Sequence, residues 1–139
     1  EAKAADVAIG IENVWNRFLL SPLETRRFLD EIGSDYVGMY LDVGNAVYIG
    51  YPEQWIEILG HRIKKLHMSD YRFDQAGIGA FVDLFAGDVD FPAVAKAIAG
   101  IGYDDYITLE MLPNYKQFPE VSLYADKFAM NKIIEMIHL

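Results

Sequence analysis

The sequence predicts an α/β fold with parallel strands, on three observations. Short stretches rich in β-branched and aromatic residues alternate four times with helical ones. Glycine, proline or a capping residue marks the boundaries, and no low-hydrophobicity tail interrupts the series. Strand–helix alternation with short apolar strands argues for βαβ units, a parallel sheet covered by helices. Four units are half of an eightfold barrel, so residues 1–139 are expected to form one (βα)4 domain.

The opening residues, EAKAADVAIG, read as the last turn of a helix running into a strand, VAIGIEN. Ser21 then stands as an N-cap, Pro22 at the first helical position and Glu24 where a capping box needs it. These predict a helix through LETRRFLDEI to Gly33. VGMYLDVGN is the second strand. The next helix begins near Pro52, gathers Trp55, Ile56, Ile58 and Leu59 on one face and stops at Gly60. RIKKLHMSD is the third strand. The stretch from Tyr71 to Asp90 is long for a loop, which points to a functional role or to local helix within it. Pro92 starts a helix over AVAKAIAGIGY, whose small apolar residues suit close packing on a sheet. DYITLEML is the fourth strand, and PEVSLYADKFAMNKIIEMIH the last helix.

Composition narrows the function classes. Apolar residues make up 53% of the 139, enough for a sizeable core. A net charge of −9 disfavours nucleic acid as a partner, because that affinity rests on Lys and Arg neutralising phosphates. A small anion remains possible through one local basic residue. With no cysteine, disulfides, thiolate zinc sites and thiol catalysis are excluded together, and cytoplasmic residence is the expectation. No apolar run approaches the roughly 18–20 residues of a membrane span, and the first residues lack the pattern of a signal peptide.

The chemistry-bearing residues fall at equivalent places. Glu12, Asp42, His67 and Glu110 each stand at the end of a predicted strand, and in a parallel sheet those ends share one rim. Active sites of α/β sheets and barrels gather there. Three carboxylates and one imidazole are a hard, mostly oxygen donor set that suits Mn²⁺, Mg²⁺ or Co²⁺, with Zn²⁺ less favoured without thiolates. Unpaired, three carboxylates in one cleft repel and raise each other's pKa; a divalent cation relieves that repulsion.

IENVWNRFLLSP, YLDVGN, KKLHMSD, GDVDFPAV and GYDDYITLEML, in this order, resemble the second half of the sugar phosphate isomerase/epimerase family with a xylose-isomerase-like TIM barrel. The likeness extends over nearly all 139 residues and is nearest to the branch of hexulose-6-phosphate isomerases and L-xylulose-5-phosphate 3-epimerases. It implies a C-terminal half barrel, a divalent metal, Mn²⁺ first, on Glu12, Asp42, His67 and Glu110, and Glu12 with Glu110 as acid/base pair. The implied substrate is a ketose or ketose phosphate. A metal chelating two neighbouring ketose oxygens stabilises an enediolate; one glutamate removes the proton and the other returns it from the opposite face.

Asn45, where some members of that family carry histidine, is read either as lining the substrate pocket or as a turn residue. Arg72 is read either as a fork for a substrate hydroxyl or phosphate or as a solvated side chain. Trp15, with Phe18, is read either as an apolar pocket wall or as ordinary packing. The substrate-binding set is thus Asn45, Arg72 and Trp15. An endonuclease-IV-like DNA repair enzyme shares the implied barrel, but that chemistry wants many more rim histidines, one of them where Asn45 stands. A half barrel leaves two sheet edges and an inner face open. The expectation is therefore either a fragment whose N-terminal half is lost or a half barrel that assembles, as a homo-oligomer in which a dimer closes the ring; such a chain can bind metal and yet be catalytically silent, a structural domain.

Overall fold

The computed structural model describes residues 1–112 and 115–139. A short helix α1 (Ala2–Ala5) leads into β1 (Ile9–Glu12), and α2 (Pro22–Ile32) into β2 (Val37–Asp42). Two helices, α3 (Val43–Ile49) and α4 (Pro52–Leu59), and a 3₁₀ turn (Gly60–Arg62) precede β3 (Ile63–Met68). The long connection that follows holds a small antiparallel ladder, β4 (Asp70–Tyr71) with β5 (Phe81–Val82), around a 3₁₀ turn (Gly77–Ala80). Next come α5 (Phe91–Gly100), β6 (Ile107–Leu109) and α6 (Glu120–Ile137). The sheet order is β1-β2-β3-β6, every pair parallel, with helices against one face. This is the half-barrel architecture the alternation predicts.

The helix starts follow from sequence. Ser21 accepts from the Glu24 N–H at 3.2 Å, and the Glu24 carboxylate accepts from the Leu20 N–H at 3.1 Å, next to Pro22 in the first turn. Such a cap satisfies donors that the first turn otherwise leaves unpaired. The second strand differs from expectation. It ends at Asp42, and the β-branched residues that follow form α3, because the Asp42 carboxylate accepts from the Asn45 N–H at 2.6 Å and caps a helix there. The fourth strand is also shorter, ending at Leu109, although the Glu110 N–H still donates to the Met68 carbonyl at 3.0 Å.

Alternation divides the strands between two environments. Met39, Leu41, Leu66 and Met68 are buried among Trp55, Ile56 and Leu59 of α4, Val94 and Ile98 of α5 and Ile133 of α6. Fully burying one such side chain stabilises by about 1.5–3 kcal/mol. Their neighbours Tyr40, Asp42, Lys65, His67 and Thr108 point to the opposite face. An irregularity in β3 sets this phase: Met39 pairs with Ile63 but Tyr40 pairs with Lys65, leaving Lys64 as an extra residue. Ile63 and Leu66 can then both face the helices while His67 stands opposite Asp42. Among the described residues, no helix is long and apolar enough to cross a membrane.

Candidate metal centre and substrate cavity

Glu12 ends β1, Asp42 ends β2, His67 is the penultimate residue of β3, and Glu110 follows β6. The parallel sheet brings all four together. His67 Nδ1 lies 3.1 Å from Glu12 Oε1, 2.7 Å from Glu110 Oε2 and 3.8 Å from Asp42 Oδ2. One ligand atom from each of the four lies within 4.8 Å of all the others.

Asp42 is the most constrained member, 1% exposed. The Asn13 side chain crosses from the end of β1 to grip its backbone, accepting from the Asp42 N–H at 2.8 Å and donating to its carbonyl at 2.9 Å. Its Oδ1 accepts from the Asn45 N–H and from the Ser69 hydroxyl, the latter at 2.8 Å. Ser69 in turn accepts from the Gly44 N–H at 3.1 Å. A side chain at Gly44 would collide with the Ser69 hydroxyl, so glycine is needed there for close approach. Oδ2 is left to face the other three residues. Burial, then a hydrogen bond with Glu110, pushes the Asp42 carboxyl up to about 7.

This donor set fits a hard divalent cation. Three carboxylates converge on one imidazole nitrogen, and the one carboxylate wholly out of water has an oxygen facing it. A cation held between them would offset the cost of burying the Asp42 charge as well as its repulsion with Glu110.

A cavity of about 450 Å³ opens beside Asp42 and Glu110. Its walls are mostly apolar, from Val14, Trp15, Ile78, Phe81, Met111 and Leu112, with Asn45 as the further polar group. Trp15 is 37% exposed and stacks on Phe81, with centroids 5.4 Å apart, and against Tyr48 at 4.7 Å. Of the substrate-binding set, Asn45 and Trp15 therefore border the cavity. Arg72 does not: its guanidinium forks onto Asp74, Nε to Oδ1 at 3.0 Å. Phe18 packs edge-on against Phe28, with centroids 5.7 Å apart. The long connection is pinned under the site by Asp70, whose buried carboxylate accepts from the N–H groups of Tyr71, Gly87 and Val89. Asn13, Ser69, Ile78 and Phe81 are site residues that sequence reasoning missed. The one available signal was the placement of Asn13 beside Glu12.

Residues 1–130 match the model of a family described as xylose isomerase-like TIM barrel. No curated protein sequence matches significantly. Among solved structures, the chain is similar to an IOLI protein described with a bound zinc atom, at TM-score 0.83 and 19% identity over 96% of this chain and 51% of that one. It is also similar to an L-ribulose 3-epimerase, at TM-score 0.72 and 21% identity over 99% and 49% of the two chains. A D-tagatose 3-epimerase-like protein matches at TM-score 0.79 and 22% identity over 99% and 50%. The chain thus spans about half the length of these structures, and at such identities the likeness is one of fold.

Proposed function

The chain belongs to the xylose isomerase-like TIM barrel family, and from that premise we propose that it supplies the metal-binding half of a divalent-metal-dependent isomerase or epimerase of a ketose or ketose phosphate. The observation that carries this reading is the convergence of Glu12, Asp42 and Glu110 on His67 Nδ1. The donor set favours Mn²⁺, with Mg²⁺, Co²⁺ and Zn²⁺ as alternatives. When bound, such a cation supplies Lewis acidity that makes the C–H beside a ketose carbonyl easier to deprotonate.

Exposure divides the labour among the residues. Asp42, almost fully buried and held by Asn45 and Ser69, is suited to ligate. The Glu12 and Glu110 side chains are 31% and 51% exposed, so both can also reach a substrate. They come from the two outermost strands of the sheet and flank His67 from opposite sides. That placement supports one removing a proton and the other returning it. Asn45 and Trp15 would hold the sugar, the amide by hydrogen bonding and the indole as an apolar wall. Arg72 can join them only by releasing Asp74.

A second reading, a metal-binding but catalytically silent half barrel, is supported by the half-length coverage of the solved structures. One experiment separates the two. The purified protein is incubated with ketoses and Mn²⁺ in D₂O, and deuterium at the carbon beside the carbonyl is expected. No exchange from a folded, metal-loaded protein would favour the silent reading. Metal retained at full strength after loss of both Asp42 and Glu110 carboxylates would overturn the site itself.

A further inference from the structure

We propose that Tyr40 is the positioning residue for His67: its ring fixes the imidazole in the orientation that turns Nδ1 toward the carboxylates, and its hydroxyl, tied to Thr108, fixes the ring. The proposal rests on the metal-site reading above. Tyr40 and His67 are diagonal neighbours on one face of the β2–β3 ladder, since Tyr40 pairs with Lys65 and Asp42 with His67. Their ring centroids are 4.0 Å apart at an angle of 44°. The phenol continues over β3 to β6, where its oxygen lies 2.9 Å from Thr108 Oγ1. Thr108 is the register partner of His67 on β6. The tyrosine therefore spans the strand that carries the histidine and is tied down on the far side.

Two further observations give the contact its purpose. A metal-ligating histidine is ordinarily oriented by a hydrogen bond from its second nitrogen. Among the described residues, the recorded polar partners of His67 all face Nδ1, and none faces Nε2. The torsion that swings an imidazole about its Cβ–Cγ bond is broad and soft, so some contact must select its orientation. The Tyr40 ring is that contact. Gly10 on β1 makes room for it, because a Cβ there would come within 2.9 Å of Tyr40 Cβ and 3.3 Å of Cδ1.

The test compares Tyr40→Phe, Tyr40→Leu and Thr108→Val with the unaltered protein. Mn²⁺ binding is followed by calorimetric titration, folding by circular dichroism, and the His67 ring by ¹⁵N NMR without metal. Loss of an orienting partner typically costs 10- to 100-fold in metal affinity, so Tyr40→Leu is expected to weaken Mn²⁺ at least about tenfold. It should also collapse the His67 ring signals toward those of a freely rotating histidine. Tyr40→Phe keeps the ring and should recover most of the affinity, to within about fivefold of the unaltered protein. Folded Tyr40→Leu that binds Mn²⁺ as the unaltered protein does would overturn the proposal. If Tyr40→Leu does not fold, Thr108→Val decides through the His67 ring alone: it frees the tether of the phenol, its affinity is expected to match that of Tyr40→Phe, and His67 signals unchanged from the unaltered protein would count against the proposal. Absence of Mn²⁺ binding by the unaltered protein would instead defeat the metal-site reading.

Discussion

At the scale of single residues, Asp42 performs two tasks on two oxygens: one caps α3 and holds Ser69, and the other faces the ligand set. Burial and Glu110 keep its carboxyl protonated up to about 7, where an ordinary aspartate ionises near 3.8. The folded state thus holds this proton more tightly than the unfolded chain. Its contribution is complete below about pH 4 and is lost as pH rises through 7. The metal-free protein is therefore expected to lose on the order of 4 kcal/mol between pH 4 and 8, measured by urea unfolding. Asp42→Asn keeps the cap acceptor and should flatten that slope while abolishing tight Mn²⁺ binding. Metal binding to the unaltered protein should release a proton below pH 7 and tighten as pH rises to that point. The four ligands were legible in the sequence because each stood at the end of a predicted strand. Asn13 and Ser69 were not, because their role is to grip a backbone and a carboxylate that only the fold brings near.

At the scale of elements, most boundaries follow from punctuation that the chain displays openly. Ser21, Pro22 and Glu24 start α2, and Gly33 ends it in a left-handed conformation. Ser21→Ala should cost about 1 kcal/mol, read as a lower urea midpoint with an unchanged slope. The element that stayed hidden is α3. VGNAVYI has the β-branched content and the glycine of a strand running into a turn, and Asp42 at the strand end signals a ligand before it signals a cap. The long connection holds the local helix its length suggests, the 3₁₀ turn Gly77–Ala80, and the small ladder beside it is what stayed hidden, because it depends on Asp70 gathering backbone N–H groups far along the chain.

At the scale of the whole molecule, the sheet keeps one face against helices, and among the described residues no further strand pairs with the outer edges of β1 and β6. On the outer helix, Val121, Tyr124 and Phe128 stand three and four residues apart and are 43–70% exposed. Unpaired edges and such an apolar stripe favour association. Residues 1–139 alone are therefore expected to run in light scattering at twice 15.8 kDa or above; a monomer at micromolar concentration would count against ring closure by a second copy. The extra residue in β3 bears on what this architecture can absorb. Upstream of Lys64 the strand follows one alternation, and downstream of it another, so Lys64 is one residue of slack between the α4 connection and a fixed row of ligands. Deleting Lys64 should leave a regular strand, with Ile63 and Leu66 still toward the helices, His67 still beside Asp42 and Mn²⁺ affinity within about fivefold, where removal of any ligand carboxylate is not tolerated. The rim is thereby insulated from length changes below it: the peripheral connections of this half barrel can drift by a residue without moving the chemistry.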